Sequence, residues 1–108
     1  MNKATYRLFD QADVIRSKNS GPYELTFDII FKEKDMFERF VAANIMTKPI
    51  FAKLYNIDES AITGIIAFVP AKAVKITIAR PLASGDLGET DVYGAQQHAP
   101  LLGFEFDL

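Results

Sequence analysis

The residues best equipped for chemistry lie in one run near the C-terminus, Asp91-Val92-Tyr93-Gly94-Ala95-Gln96-Gln97-His98-Ala99-Pro100, which holds the only histidine of the chain. An imidazole titrates near neutrality and can give or take a proton. Gln96 and Gln97 can recognise an amide or a carboxylate, and the Tyr93 hydroxyl can donate. A catalytic histidine also needs an orienting group or an adjacent nucleophile. Asp91 lies about two helical turns from His98, a spacing that permits contact without imposing it. Three readings of His98 therefore stand together: acid or base, contact to a ligand or partner, or a local turn before Pro100. The chain has one histidine and no cysteine, and neither HxH nor HExxH spacing occurs. No metal site and no cofactor are expected.

A second cluster is Arg16-Ser17-Lys18-Asn19-Ser20-Gly21-Pro22-Tyr23-Glu24. Arg16 and Lys18 could hold a carboxylate or phosphate, the one by its fork of donors and the other as a point charge. Asn19 and Ser20 could add hydrogen bonds. The same residues also suit a helix C-terminus, where basic side chains complement the dipole and Asn and Gly stop the helix. A third segment, Arg80 to Thr90, is glycine-containing but has neither a phosphate-loop lysine nor GxGxxG spacing. It reads as a flap or a flexible crossover, with Arg80 able to reach an anion.

Composition narrows what these residues serve. The chain has 108 residues, 49% of them apolar, with nine phenylalanines. That suffices for one folded domain spanning 1–108. Charges of both signs are mixed and sum to -2, so no basic stripe awaits a phosphate backbone. Nucleic acid is not an expected partner. No apolar stretch approaches the ~18 residues of a membrane span, and no signal-peptide core is visible. The expectation is a cytoplasmic protein without a membrane partner.

The elements that would position the clusters follow from periodicity. Leu8, Ala12 and Ile15 form a helical stripe, which predicts a helix over 6–18 ended by Asn19-Ser20-Gly21-Pro22. Leu25, Phe27, Ile29 and Phe31 alternate with Glu24, Thr26, Asp28 and Ile30, which predicts a strand over 23–31. Residues 34–44 switch to a helical period, with Asp35 and Glu38 as an expected capping pair. A second helix is predicted over 48–55, capped by Thr47, opened near Pro49 and closed by Asn56. Strands over 61–69 and 73–79 follow, joined by Pro70-Ala71-Lys72 as an antiparallel hairpin. Ile62, Gly64, Ile66 and Phe68 are expected on one face of the first. The run 91–98 reads as a turn of polar helix, and 102–106 as a final strand.

Without its first helix this order is β-α-β-β-α-β. The expected fold is α+β and ferredoxin-like: a single antiparallel sheet with helices on one side, plus an extra N-terminal helix. Ile30, Ile65, Ala67, Ala73 and Ala79 are expected on the other sheet face. They make it a candidate partner surface.

Two stretches, Val14 to Glu24 and Asp91 to Leu102, resemble the signature segments of a small bacterial family related to the AtuA-like ferredoxin-fold domains. The segment Lys72 to Pro81 follows the same pattern, and the resemblance runs from Leu8 to Phe106. It implies that Arg16, Ser17, Lys18, Asn19 and Gly21, with Asp91, Tyr93, Gly94, Gln96, Gln97 and His98, are signature positions. It also implies a companion subunit or interaction domain of a larger AtuA-like catabolic protein, one linked to acyclic terpene breakdown. Two other functions remain open: a small enzyme, or a ligand-binding homo-oligomer, acting on an anionic, carboxylate or CoA-linked small molecule.

Overall fold

Alternation and helical period together produce an α+β domain built on an antiparallel sheet. The computed structural model describes residues 4–21, 24–79 and 99–108. In chain order the elements are β1 (Thr5–Arg7), α1 (Leu8–Gln11), β2 (Ala12–Gly21), β3 (Glu24–Phe31), α2 (Lys34–Ala42), α3 (Lys48–Tyr55), β4 (Ile62–Phe68), β5 (Ala73–Ala79), α4 (Ala99–Leu102) and β6 (Glu105–Asp107). The main sheet has the order β2-β3-β5-β4, and a separate two-stranded sheet pairs β1 with β6. All of these pairings are antiparallel.

The predicted helix over 6–18 is mostly strand. Only Leu8–Gln11 turns helical, which leaves one helical turn at the N-terminus. From Ala12 the chain runs extended as β2, pairing with β3 from Ala12↔Phe31 to Gly21↔Glu24. The stop signal at Asn19 to Pro22 thus ends a strand rather than a helix. The reason is tertiary: β3 is a central strand whose outer edge needs a partner. Val14 and Ile15 are β-branched and suit that pleated place better than a helix. The expected final strand is shorter than predicted and pairs with β1 instead of entering the main sheet. Leu102 belongs to α4.

Local chemistry explains the better-predicted elements. The Thr47 hydroxyl accepts from the Ile50 amide at 3.4 Å, Pro49 sits in the first turn, and Asn56 closes α3 in the left-handed region at φ 54. The cap of α2 differs from expectation. Glu33 precedes the helix without a side-chain bond, and Asp35 lies in the first turn, where it complements the dipole.

The core fills the space between one sheet face and α2 and α3. Phe27, Ile29 and Phe31 of β3 are fully buried, together with Phe40 and Phe51 of the helices. Phe27 meets Phe51 edge-on at 5.1 Å between ring centroids, and Phe51 stacks on Tyr55 at 4.4 Å. Phe40 reaches both Phe31 at 4.9 Å and Phe106 of β6 at 5.0 Å, tying the small sheet to the large one. A Phe40→Ala substitution should cost about 3–5 kcal/mol, read from denaturant unfolding. It should lower the midpoint of both sheets together. Separate transitions would show that β1–β6 is not part of the same cooperative unit.

Candidate functional site

The second face of the main sheet is crossed by three rows of side chains, set by the register of four strands. Side chains opposite one another across a ladder share a face. One row is apolar, Val14, Ile30, Ala73 and Phe68; the next is ionic, Arg16, Asp28 and Lys75, ending on Ile66; the third is polar, Lys18, Thr26 and Thr77, ending on Gly64. No described helix covers this face. Phe68 remains 47% exposed and Ile66 59%.

The ionic row is the chemical centre of the face. Asp28 is only 1% exposed, yet it lies on the open side of the sheet. Arg16 Nε donates to Asp28 Oδ2 at 3.0 Å, and Lys75 Nζ donates to Oδ1 at 2.9 Å. Burial by itself would raise the Asp28 carboxyl. The hydrogen bonds from Lys75 and Arg16, with their positive charges, outweigh it and hold the group below the usual carboxylate range. Two cations on one carboxylate leave the row with one net positive charge. The Arg16 side chain is 54% exposed, so its outer guanidinium edge is presented to solvent.

β4 follows its expected alternation only in part. The ladder with β5 shifts register between Ile62 and Gly64, so one residue is added there. Ile62 is therefore buried in the core while Ile66 and Phe68 face the open side. Ile65 and Ala67, expected on the open face, stand opposite Ile76 and Val74 on the core side. There they border a cleft of about 300 Å³, which Phe40, Ile45 and Met46 also line.

The structure separates the residues of the cluster that begins at Arg16. Arg16 and Lys18 share the open face, while Ser17 is paired with Phe27 and points to the other side. Asn19 continues β2, opposite Leu25. The remaining predicted site residues, Asp91, Tyr93, Gln96, Gln97 and His98, lie outside the described residues, as does the segment Arg80 to Thr90. The sequence reading did not single out Asp28 or Lys75. The available signal was an acid between two large apolar residues, Phe27-Asp28-Ile29, since such a carboxylate needs partners wherever it is buried.

Among the described residues, no group of three or more His, Cys, Asp or Glu is placed to hold a metal ion. No described helix is long and apolar enough to cross a membrane. One further polar group is unusual. The Tyr55 hydroxyl is buried beside the Leu101 backbone and closes no hydrogen bond of good geometry among the described residues; burial raises its pKa.

Over residues 8–105 the chain matches the family described as a domain of unknown function (DUF4387), and it belongs to that family. No curated protein and no solved structure matches it.

Three measurements test the site. Asp28→Ala should destabilise by roughly 2–4 kcal/mol, less than a wholly buried pair because both cations are partly solvated. The lowered Asp28 carboxyl stabilises the fold above its unfolded value of about pH 4. That contribution should fade as pH falls through the lower native value, and Asp28→Asn should flatten this part of a stability-versus-pH curve. Tyr55→Phe should leave stability unchanged or raise it by about 1 kcal/mol, as measured by thermal unfolding. A clear loss would show that the hydroxyl is bonded in solution.

Proposed function

We propose that the chain is an interaction domain, a companion subunit that docks on a larger protein through the open face of its sheet. The observation that carries this reading is the pairing on one surface of exposed Ile66 and Phe68 with an ionic row held in place by a buried carboxylate. Apolar side chains left in water beside fixed charges suit recognition: the first supply affinity, the second orientation. The larger protein is proposed to be of the AtuA-like catabolic kind, on the strength of the resemblance carried by Val14 to Glu24 and Asp91 to Leu102.

Small-anion binding by the same face is less favoured, because Arg16 and Lys75 each already spend a bond on Asp28. Mixed with an AtuA-like protein, the chain should elute as a stoichiometric complex in size-exclusion chromatography. Phe68→Asp should weaken that complex by about tenfold or more. Ile50→Asp, at an exposed position on α3, should not. Absence of a complex with the wild type, or equal loss from both variants, would contradict the reading.

A further inference from the structure

The two edges of the main sheet are built differently. β2, at one edge, carries Asp13, Arg16 and Lys18 and has register shifts near both ends. Charges and bulges of this kind keep an edge from pairing with another chain. β4, at the other edge, has none of those charges, and its one register shift lies between Ile62 and Gly64, ahead of the regular run Gly64 to Phe68. From Ser60 to Ala71 the sequence contains no charged residue, and no described strand pairs with the outer side of β4.

The direction of the free backbone groups can be followed from the ladders. Phe31 N donates to Lys72 O at the head of the β3–β5 pair. Antiparallel bonding alternates between neighbours, so Val74, Ile76 and Ile78 turn their amides to β3, and Ala73, Lys75 and Thr77 turn theirs to β4. Their opposites on β4 are Phe68, Ile66 and Gly64. Ile65 and Ala67 therefore direct their N–H and C=O groups to the open edge.

We infer that β4 pairs antiparallel with β4 of a second copy of this chain, joining two sheets across a two-fold axis. Three features favour the second copy over an unrelated strand. With Ile65 on the axis, Ile66 of each copy stands opposite Gly64 of the other, and a side chain grown from Gly64 would meet nothing within 4 Å. The exposed isoleucine thus fills space the glycine leaves open. An uncharged strand brings no like charges together when it pairs with itself. The flanks are complementary, since antiparallel pairing brings the Asp58–Glu59 end of each β4 to the Lys72 end of the other. The symmetry is that of an isologous dimer.

The inference uses the backbone edge of β4 and shares only Ile66 with the docking face; it is tested on the chain alone, so its failure is distinguishable from failure of docking on a larger protein. Sedimentation velocity across a micromolar to submillimolar range tests it. The wild type should move from one chain mass to two as concentration rises. Ala67→Pro removes one outward amide while sparing the β5 ladder, and should weaken the dimer by about tenfold or more. Ile66→Lys, at an exposed position, should do the same by setting two charges close together. Ala67→Ser should dimerise like the wild type. Should Ala67→Pro fail to fold, by circular dichroism, Ile66→Lys alone decides. A wild type that stays monomeric throughout, or a dimer unaffected by the folded variants, overturns the inference.

Discussion

A buried carboxylate on the uncovered side of a sheet constrains everything around it. Asp28 keeps its charge in this buried place only because Arg16 and Lys75, one on each neighbouring strand, compensate it. The three residues form a single row across β2, β3 and β5. A one-residue slip of β3 would turn Asp28 into the phenylalanine core and bring Phe27 and Ile29 out to solvent. The carboxylate and the aromatic core thus specify the same register from opposite faces. Ion pairs of this kind add little net stability compared with apolar replacements. Their effect here is to fix one strand alignment and to hold two cations in place on the surface.

That fixed register distributes the two surfaces of the sheet. On one side, Phe27, Phe31, Phe40 and Phe51 exclude water and join the helices to the strands. On the other, the same pleat leaves an apolar row and an ionic row side by side. The added residue between Ile62 and Gly64 then turns Ile66 and Phe68 outward. The apolar part of the open surface therefore depends on a local irregularity in β4, while its charged part depends on Asp28.

Much of the fold was legible because local chemistry and tertiary demand agree. The alternation in β3, the Thr47 and Asn56 caps of α3 and the β4–β5 hairpin all show this agreement, as does the α+β arrangement they build. β2 was not legible, because Leu8, Ala12 and Ile15 make a helical stripe as good as the extended pattern of Val14, Arg16 and Lys18. The choice is made by β3, a distant element that needs an edge partner. The faces of β4 were misread because an added residue at Thr63 leaves no mark in the alternation when the residues on both faces after it, Ile65 to Phe68, are apolar. At the candidate site, Arg16 and Lys18 were chosen for their capacity to bind anions. The partner that Arg16 holds is Asp28, twelve residues away, and only strand pairing brings them together.

The open sheet face is proposed to be the surface that meets a larger protein. Methyl resonances of isoleucine and valine, followed while an AtuA-like protein is added at constant concentration of this chain, test it most directly. Shifts or broadening are expected at Val14, Ile30 and Ile66, with Ile29 and Ile76 in the core little changed. Changes confined to the helical layer, at Val41 and Ile50, or no change at any methyl, would contradict it.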